Sequence, residues 1–350
     1  IGFLTADKIA RDLGLPPDSP HRMAAGVIYA LNEATNDGHV FLPRHELVER
    51  AGGLLRLTEP VPHGIEDAID NLYGWQEIII DDVPEGNVTQ EVIYLPSLYY
   101  AESGVARKLR QILETPQSRL ADLREVHWGP FLAALSGSSA VALTGQQQEA
   151  VRAALTSKVS ILTGGPGTGK TTTLRTVIGG LRQTGHRFLL CSPTGRAAKR
   201  LSEATEEPAQ TVHRLLGYSP GEGFVYNEEN PLDTDMIVVD EASMLDLSLF
   251  YNLLKAVSPQ THLLLVGDVD QLPSVGAGDV LRDLIRSGVV PVTRLEVIFR
   301  QEASSLIIRN AHRINRGESP DTSNRGRDFF FFGVEEPEDA AALVVDIVQR

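Results

Sequence analysis

The stretch "VSILTGGPGTGKTTTL", residues 159–174, decides how the chain is read. It opens as an apolar run suited to a buried strand, turns glycine-rich, and closes on Lys170, Thr171 and Thr172. Gly164, Gly169, Lys170 and Thr171 satisfy the pattern G-x-x-x-x-G-K-[ST], with a predicted strand before it and a predicted helix after it. Glycines let backbone N–H groups converge on phosphate oxygens, and the helix N-terminus adds positive potential. Lys170 is expected to reach the β- and γ-phosphates, and the Thr171 hydroxyl to bind Mg²⁺. Gly165, Gly167, Thr168, Gly169 and Thr172 complete the expected nucleotide contacts. A glycine turn without a ligand is the alternative, which the flanking strand and helix disfavour.

Downstream, "MIVVDEASM" (236–244) delivers Asp240 and Glu241 to a strand end. Asp240 suits a magnesium shell, and Glu241 suits a general base acting on water at the γ-phosphate. Alone, such a pair could cap a helix; together with the phosphate loop it points to nucleotide hydrolysis. A third polar segment, "GDVDQLPSVGAG" (267–278), carries Gln271. A neutral amide can donate to a phosphate oxygen and accept from an attacking water, as a motor that senses γ-phosphate requires. Asp268 and Asp270 are expected to cap that turn, with organising the attacking water as the alternative.

From residue 141 onward, apolar runs alternate with helical patterns: "VSILTG", "RFLLCSP", "MIVVDEA", "HLLLVGD" and "VTRL". Such runs predict a parallel sheet covered on both faces, an α/β class with ligands at the strands' C-terminal ends. Residues 1–140 read differently. "TADKIARDLGL" places Ile9, Leu13 and Leu15 near one helix face, and "QEIIID" and "EVIYLP" bracket the turn "DVPEGN" as a hairpin. Helices followed by a hairpin suggest a winged-helix-like module; "SLYYAESGVARKLRQILE" is the expected connecting helix, and "SGSSA" (136–140) the boundary.

Composition constrains the class without choosing it. The chain has 350 residues, 42% hydrophobic and 22% charged, as in ordinary globular proteins. A net charge of −14 argues against coating nucleic acid with the whole surface, though not against a local basic groove. No apolar run approaches the roughly 20 residues of a membrane span, so no membrane association is expected. The one cysteine, Cys191, excludes an internal disulfide and fits a reducing cytoplasm. A start at Ile1 and a stop within "PEDAAALVVDIVQR" suggest a piece of a longer polypeptide.

Taken in order, "LTGQQQEAV", "GGPGTGKT", "SPTGRAAKRL", "TVHRLLG", "VVDEASM", "GDVDQLPSVGAG" and "LEVIFRQ" resemble the successive motifs of superfamily 1 helicases. The likeness is to the RecD-type 5′→3′ branch, particularly its longer members with an extra N-terminal region, and covers residues 141–317 closely. "IGFLTADKIA" also resembles the second half of a helix-hairpin-helix DNA-binding unit, with plain helical packing as the alternative. The resemblance implies a RecA-like P-loop NTPase using ATP and Mg²⁺, with Thr171 and Asp240 on the metal. It implies that Gln147 reads the adenine edge, Gln271 senses γ-phosphate and Arg300 stabilises developing charge. It further implies that Thr194, Arg196 and His213 contact DNA, with Lys199 and Arg200 open as a solvated helix face.

Residues 217–231 would form a β-hairpin pin that offers Tyr218, Phe224 and Tyr226 to the first base pair, a surface loop being the alternative. Partners implied are single-stranded DNA, single/double-strand junctions and other repair proteins. The organisation expected is 1–140 N-terminal, 141–300 first motor domain, and 301–350 the start of a second RecA-like domain whose later motifs are not found. Phe329 to Phe332 are read as that domain's buried first strand. Rival readings are a motor subunit of a helicase–nuclease complex and a DNA-binding regulator switched by ATP; an RNA track is a further possibility.

Overall fold

The computed structural model describes residues 2–57, 62–86, 88–136, 142–297 and 305–349. It begins with α1 (Phe3–Asp12), α2 (Pro20–Asn36), β1 (Phe41–Pro43), α3 (Arg44–Leu54) and α4 (Pro62–Gly74). β2 (Ile79–Glu85) and β3 (Val88–Tyr94) form the expected antiparallel hairpin, with Asp81 opposite Val92. β1 joins the other edge of β3, giving the order β1-β3-β2. Sequence reading missed β1 because three residues are too few to show alternation. Met23 and Val27 of α2, Leu47 of α3, Ile69 of α4 and Ile93 of β3 share one core.

The apolar stripe expected on α1 points the wrong way. Ile9 is 46% exposed and Leu13 83% exposed. α1 docks instead through Phe3, stacked on Tyr29 with centroids 4.4 Å apart, and through buried Asp7. The Arg22 guanidinium donates to Asp7 Oδ1 at 2.6 Å, to the Pro17 carbonyl at 2.7 Å and to the Leu55 carbonyl at 2.7 Å. That hydrogen bonding holds the Asp7 carboxyl below the usual carboxylate range. A buried ion pair leaves no hydropathy signature, so the inward face was not legible.

α5 (Pro96–Glu114) and α6 (Trp128–Ser136) lead into α7 (Gly145–Thr156), β4 (Val159–Gly164), α8 (Lys170–Gln183), β5 (Phe188–Ser192), α9 (Gly195–Thr205), β6 (Ala209–Thr211) and α10 (Val212–Leu215). β7 (Met236–Val239), α11 (Leu247–Ala256), β8 (His262–Gly267), α12 (Val280–Ser287) and β9 (Val292–Leu295) complete the unit. The sheet has the order β6-β5-β7-β8-β4-β9, and every neighbouring pair is parallel. Every residue of β4, β7 and β8 is buried, which is why these strands read as continuous apolar runs. All five expected strands are present, and β6 is a three-residue addition.

The two faces of the sheet carry separate cores. Ile161, Ile237 and Leu265 pack against Phe250 and Leu253 of α11, while Leu162, Val238 and Leu264 pack against Val151 of α7 and Val177 of α8. Leu109 and Ile112 of α5 belong to the first core, and Leu120 and Leu123 to the second. Packing from α5 onward thus runs across the boundary expected at residue 140 and into the cores of the parallel sheet. Residues 137–141, whose Gly/Ser composition suggested that boundary, lie outside the described residues.

Three contacts lock this arrangement. A Cβ on Gly104 would overlap the Tyr251 ring, so glycine permits α5 to lie close against α11. The Lys158 ammonium, at the start of β4, donates to the carbonyls of Pro259 at 2.6 Å and Thr115 at 3.1 Å. Finally, the Gly278 N–H donates to the Gly38 carbonyl at 3.0 Å, joining the loop after β8 to the N-terminal region.

Beyond β9 lie α13 (Leu306–Asn315) and α14 (Pro337–Gln349). The buried strand expected at Phe329–Phe332 is not formed, and Phe330, Phe331 and Phe332 are half exposed. A strand needs a neighbouring backbone to satisfy its polar groups. Here the Asn324 side chain takes that place for Phe331, donating to its carbonyl at 2.8 Å and accepting its N–H at 2.6 Å.

Candidate functional site

β4 ends at Gly164 and α8 begins at Lys170, so the intervening loop must turn sharply. Gly167 and Gly169 do so at φ 76° and 86°, a region that favours glycine. Buried Thr168 donates its hydroxyl to the Gly165 carbonyl at 2.9 Å and ties the loop to itself. Lys170 donates to the carbonyls of Gly164 at 2.5 Å and Gly165 at 3.1 Å, so its ammonium lies within the loop.

Asp240 and Glu241 follow β7, and Glu241 adopts the left-handed region at φ 53°. A non-glycine residue held there is strained, a feature that clusters at functional sites. A cavity of about 150 Å³ is lined by Lys170, Thr171, Arg200, Asp240, Glu241 and Val266, among others. Burial and the neighbouring Glu241 charge push the Asp240 carboxyl up to about 6, against the opposing pull of Lys170 and Arg200. The phosphate-loop lysine and threonine thus meet the acidic pair across one small space. Thr172 does not line that space. Arg200 does, and sequence reading had left it on a solvated helix face; its position in α9, after a strand end, was the available signal.

No group of three or more His, Cys, Asp or Glu suited to a metal occurs among the described residues. Thr171 and Asp240 nevertheless fit magnesium, which takes one or two protein oxygens and completes its shell with phosphate and water.

β8 lies between β4 and β7, so the loop after it emerges between the phosphate loop and the acidic pair. Asp268, 2% exposed, accepts the Asp270 N–H at 3.1 Å and the Gln271 side-chain amide at 3.3 Å. It caps the turn as expected. Asp270 does not; it pairs with Arg294 at 3.0 Å. Gln271 is exposed and does not line the cavity. Gln147 is 1% exposed, and its amide is engaged elsewhere. It accepts the Thr144 N–H at 3.0 Å and donates to the Gly169 carbonyl at 3.4 Å. The group expected to read a base edge thus closes a capping box beside the phosphate loop.

Thr194 caps α9 by accepting the Ala197 N–H at 3.3 Å, and Arg196 is exposed in the first turn. Lys199 pairs with Glu203 on an exposed face. His213 is exposed on α10, with its ring 5.5 Å from Tyr218. Tyr218 in turn lies 5.0 Å from Phe224. α9 and α10 follow β5 and β6, so these groups share the sheet edge that carries the cavity.

The hairpin expected at 217–231 is reduced to a single bridge between Ser219 and Gly223. Gly221 and Gly223, at φ 90° and 82°, form the turn that this bridge closes, and the chain bends away after it instead of pairing further. Asn227 then accepts the N–H groups of Glu229 at 2.9 Å and Asn230 at 3.2 Å, folding the segment back. Phe224 and Tyr226 pack against the core, whereas Tyr218 is 49% exposed. Arg300 lies outside the described residues.

These features define a P-loop nucleoside-triphosphate-binding domain of the RecA-like α/β type. The family model described as AAA domain matches residues 147–277, and that of the ATP-dependent RecD2 DNA helicase HHH domain matches residues 1–41. The ATP-dependent RecD2 DNA helicase of Deinococcus radiodurans is 39% identical over 327 residues, 91% of this chain and 44% of that protein. The RecBCD enzyme subunit RecD of Mycobacterium tuberculosis is 39% identical over 194 residues, 49% of this chain and 32% of that protein. The crystal structure of Pif1 helicase from Candida albicans aligns with a TM-score of 0.38 at 21% identity, over 52% of this chain and 46% of that one, too loose a match to argue from. The chain is thus similar, in its N-terminal region and its P-loop domain alike, to RecD-like superfamily 1 helicases. It spans less than half the length of the relatives it matches, 44% and 32% for the two named. No helix among the described residues is long and apolar enough to cross a membrane.

Proposed function

We propose that this chain is the N-terminal region and first motor domain of an ATP-dependent 5′→3′ DNA helicase, with residues 301–350 the start of its second motor domain. The observation that carries the reading is the sheet order, which sets the phosphate loop, the Asp240–Glu241 pair and the Gln271 loop on adjacent strand ends. Glu241 orients and deprotonates the attacking water, and Lys170 moves from its loop carbonyls to the β- and γ-phosphates. Thr171 and Asp240 would hold Mg²⁺, which would supply charge neutralisation at the phosphate oxygens. Arg200, facing Asp240 across the cavity, adds positive potential there. Gln271 senses γ-phosphate once the loop moves its amide off Asp268, and Arg300 stabilises the developing charge.

The single strand runs over the caps of α9 and α10, where Thr194, Arg196 and His213 take phosphates without reading bases. Tyr218 presents its exposed ring at the junction. A stand-alone helicase is favoured over a subunit of a helicase–nuclease complex. The relative named RecD2 DNA helicase matches 91% of the chain including its N-terminal region, and the relative named RecBCD subunit matches 49%.

Unwinding by the full-length protein of duplexes bearing 5′ or 3′ single-stranded tails tests the reading. A preference for the 5′ tail, with strand-stimulated hydrolysis lost in Lys170→Ala, is expected. A 3′ preference overturns the direction, and hydrolysis that persists in the variant overturns the site.

A further inference from the structure

Helix α13 places one side chain directly on the phosphate loop. If Gly165 carried a Cβ, that atom would lie 2.7 Å from His312 Cε1 and 3.4 Å from His312 Nε2. The imidazole therefore occupies the space that the glycine leaves open. Its Nε2 is buried and makes no hydrogen bond. An unpaired buried nitrogen is unfavourable, and such orphans in folded proteins call for an explanation.

The helix that carries it is braced by its own segment. Ser305 caps its N-terminus, accepting the Ile308 N–H at 3.3 Å, and Asp328 accepts the Leu306 N–H at 3.0 Å. Asn310, 1% exposed, donates to the Asp321 carbonyl at 3.1 Å and accepts the Asp321 N–H at 2.7 Å. Arg309 and Arg313 flank His312 around a cavity of about 360 Å³. The Gly165 carbonyl beneath the ring also accepts from Lys170, the residue directed at the terminal phosphates.

We propose that His312 is a nucleotide-contacting residue whose Nε2–H donates to a terminal phosphate oxygen of the bound nucleoside triphosphate. The proposal rests on the reading of the loop as a triphosphate site. An imidazole protonated at Nε2, or at both nitrogens, is a donor, and a phosphate oxygen is the acceptor it lacks. Gly165 has no side chain because the ring must reach the loop. Occupancy of the loop then draws on α13, so the helix reports whether phosphate is present.

The test is equilibrium binding of a non-hydrolysable ATP analogue and of ADP to the full-length protein, its His312→Leu and His312→Gln variants, and Lys170→Ala. Leucine keeps the bulk of the ring and removes the donor; glutamine restores a donor near the Nε2 position. The expected result is about tenfold weaker triphosphate binding in His312→Leu, a smaller change for ADP, and recovery in His312→Gln. Triphosphate binding within twofold of wild type in His312→Leu overturns the proposal. Equal weakening in both variants with a lowered melting temperature also overturns it, because the ring would then only pack. If wild type and Lys170→Ala bind nucleotide equally, the triphosphate-site reading itself falls.

Discussion

His262 opens the inner strand β8, fully buried, with Nε2 2.7 Å from Ser118 Oγ. Burial, together with the nearby Lys158 and Arg124 charges, lowers its pKa from 6.5 to about 4. As pH falls through 6.5 the unfolded chain takes up a proton that the folded chain refuses until about 4. Stability contributed by the neutral ring is therefore complete above 6.5 and is lost progressively between 6.5 and 4. A single-site balance puts the loss between pH 7 and pH 5 at about 2 kcal/mol. Asp240 acts in the opposite sense, because its folded-state pKa is raised to about 6 from 3.8. A comparison with His262→Gln separates the two, since glutamine can keep a hydrogen bond to Ser118 but does not titrate. Urea unfolding of both proteins at the two pH values is the assay. Wild type should lose about 2 kcal/mol more than the variant on acidification. Equal losses would refute a neutral buried His262.

Other substitutions probe other layers. Arg22→Met leaves Asp7 buried without its guanidinium and should destabilise by about 3–5 kcal/mol, read by denaturant midpoint. Should Arg22→Met melt like wild type, the buried pair is not holding α1. Gly104→Ala forces a methyl into the Tyr251 ring and should cost about 1–3 kcal/mol; an unchanged melting temperature would mean that α5 can move off α11. Tyr218→Ala should slow unwinding by the full-length protein with little change in melting temperature, whereas Phe224→Ala should lower both, as it packs on the core. Unwinding at the wild-type rate in Tyr218→Ala would remove that ring from the junction.

Local rules made the P-loop domain legible. The phosphate loop, the acidic pair and five strands each rest on short contiguous patterns, and the strands form where they were expected. What escaped depends on partners distant in the chain. Arg200 enters the cavity only because α9, packed on β5 and α8, faces the acidic pair that follows β7. Gln147 carries the residue type suited to an adenine contact, yet its amide is engaged by Thr144 and Gly169. The inward face of α1 is set by an Asp7–Arg22 pair, which periodicity of apolar residues does not register. Segment 217–231 has aromatic spacing suited to a hairpin, but its glycines and Asn227 close it into a compact loop. Phe329–Phe332 form an apolar run that becomes a strand only beside another strand.

The Gln271 loop is tied at its start by buried Asp268 and the Asp270–Arg294 pair, and at its far end by the Leu247 N–H on the Ala277 carbonyl and the Gly278 N–H on the Gly38 carbonyl. A cord tied at both ends can swing only at its middle. Leu272 and Val275 ride on that middle, 85% and 90% exposed. Any swing that carries Gln271 toward phosphate therefore carries two greasy side chains with it, and pulls on the N-terminal region through the Gly278 N–H and the packing of Ala277 beside Leu98 and Val40.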